Sequence, residues 1–431
     1  MKIQQADETW RNWSGSQHGC PEIFKPRKIY ELQNIVKSHA QIRAVGAGHS
    51  FSALVKTDAV LINLDHFKGV VAFDENRTQC TVQAGTRLYD LGEYLAPIHQ
   101  ALANQGDIDQ QSLAGAISTG THGTGIDLPC LSAFVEGFEL LTADGELLQC
   151  DRQQNTEIFQ AGRVALGSFG ILTKITLQNR SRYKLKEQIR LCPLQEVFAN
   201  IDQWKHQHRH IEFWAFLHSD QVMLKTLDET DEAIQPRQDA WPSEDALLTL
   251  CSELTRRLPA TNRYLQKMLS VFVKPTCYVD WSNQIFPTPR NTKFNEMEYQ
   301  IPVEQGLQCL EEVLDCLRKH QVPMFFPVEF RYVKGDDIWL SPFYRRDSVS
   351  ISIHQFYKQD YRVVFDLVEP ILQKYQGRPH WGKLHSMSAA SLRELYPKWD
   401  DFMALRQQLD PHQKWLNPYL KQLFLVEQPG E

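Results

Sequence analysis

The 431-residue chain has no C-x-x-C pair and no basic cluster, and no apolar run approaches the roughly 18 residues of a membrane helix. Its nine cysteines are odd in number and irregularly spaced, which argues against a disulfide framework, a zinc site or an iron–sulfur cluster. Reduced, mostly buried thiols in a cytoplasmic protein are expected. The first ten residues, MKIQQADETW, lack both the apolar core and the small-residue cleavage site of a secretory signal. With 46 basic and 52 acidic residues the net charge is −6, so nucleic acid is a poor partner and a small polar ligand a better one. No membrane segment is expected, and the chain reads as a monomer or small homo-oligomer.

What is present describes a globular protein: 42% hydrophobic and 23% charged residues, in a length that suggests two domains. Ile29 to His39 has helical spacing, as does Thr86 to Ile98. Ile42–Val45, Val60–Leu64, Val70–Phe73, Cys80–Ala84, Gly137–Leu141 and Ile171–Leu177 read as short strands. Further on, Pro302 to His320 carries one apolar helical stripe, with Pro302 in its first turn. Strand patterns at Ile211–Leu217, Val222–Leu227, Phe294–Ile301, Val328–Val333 and Val349–Phe356 alternate with helices, which suggests an α+β second domain. Thr230 to Ser243, charged and proline-containing, reads as an exposed excursion.

Two segments have the composition of a backbone that lies close to a ligand. Arg43 to Ser52 (RAVGAGHSFS) is a strand running into a glycine turn, but Phe51 stands where a Rossmann fingerprint needs its third glycine. Gly106 to Gly125 (GDIDQQSLAGAISTGTHGTG) mixes five glycines with small hydroxyl residues. Free N–H groups and hydroxyls there suit a pyrophosphate or a flat polar ring. Glu329 and Arg331 are spaced i, i+2 and point to one face of a strand. His206, His208 and His210 alternate on a strand approach and read as surface decoration. No metal is expected there or at His380 and His385, which lack the i, i+4 spacing of a helical zinc pair.

Together, the two glycine segments and Ala165–Thr173 (ALGSFGILT) resemble the FAD-binding domain of the vanillyl-alcohol oxidase superfamily. Gly48-His-Ser50, Phe294–Tyr299 (FNEMEY), Val328–Arg331 (VEFR), Trp339–Pro342 (WLSP), His354-Gln355, His380–Lys383 (HWGK) and Leu416–Leu420 (LNPYL) are similar to its aldonolactone and alditol oxidase branch.

The resemblance implies a two-domain α+β flavoprotein with a vanillyl-alcohol-oxidase-type FAD-binding domain and an α+β substrate (cap) domain. Residues 1–178 would bind FAD, 179–379 would form the cap, and 380–431 would return to the flavin. It further implies covalent FAD through His49, with Ala47, Gly48, Ser50, Phe51, Ser118, Thr119, His122, Gly123 and Ile171 holding the cofactor. Substrate chemistry would fall to Lys383, Arg331, Glu329, His354 and Ser112, with His354 a candidate base. The implied reaction is oxidation of an aldono-1,4-lactone by hydride transfer to flavin N5, with O2 or another acceptor closing the cycle. Two readings stay open beside it. One is an alditol oxidase making an aldehyde and peroxide. The other is a flavin-containing electron-transfer or binding protein without polyol turnover, against which the intact Glu329, Arg331 and Lys383 argue.

Overall fold

Alternation with a period of two builds the largest element of the molecule. In Phe294–Pro302, Val328–Val333 and Ser348–Phe356, apolar and polar side chains take turns, so each strand has an oily and a polar face. The structure, a computed structural model describing residues 9–237, 244–268, 274–288 and 290–425, joins them in an eight-stranded antiparallel sheet. Across the sheet the order is Thr276–Trp281, Lys184–Pro193, Gln221–Glu229, His210–Ala215, Val328–Val333, Ser348–Phe356, Phe294–Pro302 and Arg378–Pro379. Met297, Tyr299, Phe330, Ile351 and Ile353 pack in one core with the helices Leu194–Gln207, Gly306–Lys319 and Arg362–Lys374. Burial of each such side chain contributes about 1.5–3 kcal/mol, and a one-residue slip would turn the charged face into that core. The oily face therefore fixes the register, and with it the polar face.

The first part of the chain forms two smaller sheets. Glu22–Phe24, Val60–Asn63 and Ile42–Val45 make a parallel three-stranded sheet with Val60–Asn63 at its centre. The helix Ile29–Ser38 buries Leu32 and Val36 in the same core as its strands. Leu147–Asp151, Val135–Leu141, Ile171–Gln178, Gln79–Gln83 and Val70–Phe73, in that order, form a five-stranded sheet. The last helices, Ala389–Leu395, Trp399–Leu409 and Pro418–Phe424, place Leu392, Phe402 and Leu420 in one core with Phe169 and Leu113 of this first part.

Several local expectations need correcting. Pro302 ends the strand Phe294–Pro302; a 3-10 turn at Val303–Gln305 follows, and the helix proper begins at Gly306. The register pairs Pro302 with Ser348, so the strand claims it before the helix can. His206, His208 and His210 do not share a face. His206 lies in the helix ending at Gln207, His208 caps it, and His210 opens a strand with its ring buried. Of the expected excursion, 230–237 is mostly exposed, with Gln235 bridging to Val279, while 238–243 lies outside the described residues. The thiols are free and mostly buried, except Cys20 and Cys277, which are exposed, and Cys251 and Cys316, which are half-buried. No helix among the described residues is long and apolar enough to cross a membrane.

Candidate active site and cofactor cavity

A cavity opens where the strand Ile42–Val45 runs into its glycine turn. Its wall includes Gly46 to Ser50, then Ser112, Ala114, Gly115, Ser118 and Thr119, and Ala165 to Gly167 with Phe169 to Leu172, many of them small residues. The short helix Leu113–Ser118 starts there because Ser112 Oγ accepts the Gly115 N–H at 3.2 Å. Arg43 holds three parts of the wall together. Its guanidinium donates to the carbonyls of Leu54, Leu166, Gly167 and Trp415 at 2.5–2.9 Å, and burial pulls it down to about 10. Gln111 Oε1, in the same wall, is buried without a hydrogen-bond partner. That acceptor, the small residues and the main-chain groups fit a large dinucleotide with an extended polar backbone.

His49 lines the cavity. Burial, with Lys383 and Arg87 adding repulsion, holds its imidazole down at about 4, so the ring is neutral and nucleophilic near pH 7. The cavity meets the segment that follows the strand Arg378–Pro379 at this point: the Phe51 N–H donates to the Gly382 carbonyl at 2.7 Å, and Lys383 lies over the Phe51 ring.

Beside it lies the polar face of the large sheet. Strand register sets Glu212 opposite both Lys225 and Arg331, and Glu296 opposite His354. Arg331 bonds Glu329 and Asp107 at 2.6 Å and approaches Glu212 at 2.8 Å, while Lys225 lies 3.0 Å from Glu212. Burial opposes ionisation of Asp107, but Arg331, Lys225 and Arg290 outweigh it and hold the carboxyl well below its usual range. Glu212 goes the other way, because burial outweighs its two cations. Burial opposes ionisation of Glu296 too, yet Lys383 and His354 bring it down to about 2. Lys383 bonds Glu296 and stands 3.8 Å from Glu298. Glu298 Oε1 accepts from Ser350 and Gln300 and pairs with His122 Nε2 at 2.7 Å. The ligand-type atoms of His122, Glu298 and His380 lie within 4.8 Å of one another, but that Glu298 oxygen already has three hydrogen-bond partners and the ammonium of Lys383 stands beside them.

The expected residues divide cleanly. Ala47, Gly48, His49, Ser50, Ser118, Thr119 and Ile171 line the cavity. Ser112 lines it as well, on the cofactor side and not among the charged residues assigned to substrate. Phe51 lies outside the wall, stacked on Phe294 in the cap core. His122 and Gly123 are also outside it. The glycine-rich segment has turned away by then: the Gly125 N–H donates to the Tyr332 carbonyl, and Thr124 Oγ1 donates to the Ile211 carbonyl and accepts from the Tyr332 N–H. Gly125 thus serves docking on the sheet, while Gly123 packs against the Asn104–Gln105 loop, where a Cβ would meet the Gln105 carbonyl at 2.4 Å. Glu329, Arg331, His354 and Lys383 come together on the polar face. Sequence reasoning missed Arg43, Asp107, Glu212, Lys225, Glu296 and Glu298. Only the charged alternation of FNEMEY, with Glu296 and Glu298 two apart, carried a local signal.

A cavity walled by glycine turns, set against the charged face of a large sheet, is the arrangement of an FAD-dependent oxidoreductase. Residues 21–151 match the family described as FAD binding domain, and residues 175–423 match D-arabinono-1,4-lactone oxidase. The chain belongs to the D-arabinono-1,4-lactone oxidase family. It is 35% identical to the L-gulono-1,4-lactone dehydrogenase of Mycobacterium tuberculosis, over 96% of this chain and 99% of that one. It is 33% identical to the L-gulonolactone oxidase of Bos taurus, over 96% of this chain and 98% of the bovine one. Its fold is shared with a solvent-stable cholesterol oxidase, at a TM-score of 0.84 and 17% identity, covering 97% of this chain and 98% of the other.

Proposed function

We propose that the chain oxidises a sugar-derived aldono-1,4-lactone with FAD attached covalently through His49. The observation that carries this reading is the meeting of two features. The neutral His49 lines the cavity, and the Glu329–Arg331 pair and Lys383 stand on the adjoining polar face. Relatives that carry lactone names along nearly their whole length support the substrate class.

Bound FAD supplies the hydride acceptor. Ala47, Gly48, Ser50, Ser118, Thr119 and Ile171 would hold it through main chain and hydroxyls, with Ser112 shaping the same wall. Arg331 and Lys383 provide fixed positive charge where a lactone hydroxyl becomes an alkoxide, and Glu329 orients a neighbouring hydroxyl. Glu296 holds the Lys383 ammonium in place. His354 takes the hydroxyl proton, with its Nε2 3.5 Å from Glu296 Oε1. We read residues 1–178 as the cofactor part, 179–379 as the cap and 380–431 as the returning segment. Nine free cysteines suit a cytoplasmic setting.

The test is a steady-state screen of purified protein against aldono-1,4-lactones and alditols, following peroxide and dye reduction in parallel. Turnover of lactones is expected, and the two readouts separate oxygen from another acceptor. No turnover of any lactone sinks the substrate assignment and leaves FAD binding standing.

A further inference from the structure

The match to the FAD-binding module begins at residue 21, yet the loop carrying His49 is held from before that point. A hairpin pairs Trp10–Arg11 with His18–Gly19. From its turn the Trp13 N–H donates to the Gly48 carbonyl (2.8 Å), Asn12 Nδ2 to the Ser50 carbonyl (3.0 Å) and Gln17 Nε2 to the Phe51 carbonyl (3.2 Å). Every residue from 48 to 51 except His49 itself has its carbonyl tied down this way. The Trp13 ring then lies against the His49 imidazole, centroids 5.6 Å apart and planes 21° from parallel. Phe51 and Phe294 meet Trp13 edge-on from elsewhere, so the indole is wedged in place.

A nucleophilic imidazole attacks through a lone pair lying in the plane of its ring. The torsion that turns the ring is intrinsically broad, so packing must set the plane. A stacked indole does so. We infer that the hairpin Trp10–Gly19 is the template on which His49 is joined to the flavin, with Trp13 as the positioning residue that fixes the imidazole plane. The inference rests on the reading of His49 as the attachment point.

In the joining step one imidazole nitrogen bonds to the 8α-carbon of the flavin. The hydrogen lost from that methyl group and the hydrogen lost from the nitrogen both pass to the flavin ring, which is thereby reduced by two electrons. Dioxygen removes the two electrons and two protons as hydrogen peroxide, and the oxidised, tethered flavin remains.

The experiment compares the full-length chain with Trp13→Ala, Trp13→Phe and His49→Ala. It measures total FAD in the native protein, the share retained in the acid-precipitated pellet, and flavin fluorescence of the denatured band. Wild type keeps its flavin in the pellet. Trp13→Ala binds FAD in the native state but retains at least tenfold less of it on denaturation, and Trp13→Phe, which restores a stacked ring, regains most of it. Full covalent retention in Trp13→Ala would overturn the inference. So would equal loss of native FAD from both Trp13 variants, because the hairpin would then be a binding element and not a template. Flavin released from the unmutated protein would instead bring down the attachment itself, and is read separately.

Discussion

The residues lining the glycine-walled cavity include only three with ionisable side chains, Arg43, His49 and Asp65, whereas the sheet face beside it alternates carboxylates and cations along neighbouring strands. One region is made by leaving side chains out, the other by pairing them. A space bounded by main chain fails when an atom is added; a lattice of paired charges fails when one is removed or neutralised.

Acid should damage both regions most. Burial holds His49 and His380 at about 4 and His210 at about 3, below the 6.5 of a free histidine. The unfolded chain therefore binds more protons than the folded one once the pH drops below about 6.5, and stability falls from there down to about 4. Each unit of depression is worth about 1.4 kcal/mol, so a loss of several kcal/mol is expected. Glu296, held at about 2, and Glu298, also held low, extend the loss below about 4.5. Melting temperature against pH checks this. His380→Asn, whose side-chain oxygen can still accept the Gly382 N–H, should flatten the upper part of the slope.

Next in size, Arg331→Ala removes the cation shared by Asp107, Glu212 and Glu329. Uncompensated buried charge costs about 3–5 kcal/mol, and flavin reduction should slow at least roughly a hundredfold. Thermal melts and stopped-flow reduction measure the two, and bound FAD should be nearly unchanged. Gly46→Ala tests the opposite region. Its Cβ would lie 2.0 Å from Ser112 Oγ, the oxygen that caps the helix of the wall. A loss of about 1–3 kcal/mol is expected, with lower flavin content at a given FAD concentration. Lys374→Ala, which breaks an exposed pair with Glu312, should change the melt by no more than about 1 kcal/mol. A larger effect would undo the distinction between buried and exposed pairs.

Legibility followed the same division. Glycine turns and small hydroxyl residues are contiguous, so the cavity wall at 46–50 and 112–119 could be read from the chain, as could the strands whose alternation makes the polar face. The partners could not. Arg331 pairs with Asp107 across 224 positions and with Glu212 through strand register, which no local pattern encodes. For Phe51 and His122 the resemblance implied cofactor contact; the stacking of Phe51 on Phe294 and the pairing of His122 with Glu298 join positions far apart in the chain, which no local pattern shows. The histidine triplet was misjudged because a helix ending at Gln207 and a strand opening at His210 destroy its alternation.

Asp107 lies within the stretch that matches the FAD-binding family, while Lys225, Arg290 and Arg331, its cations, all lie within the stretch that matches the oxidase family. The boundary between the two modules is therefore a shared counter-ion and not a neutral seam. A cap grafted onto a foreign flavin module would arrive with buried cations short of an anion, and the donor module would be left with an orphan carboxylate. Arg331 would keep Glu212 and Glu329 from its own stretch, so the loss on separation falls mainly on Asp107, whose paired cations all lie across the boundary.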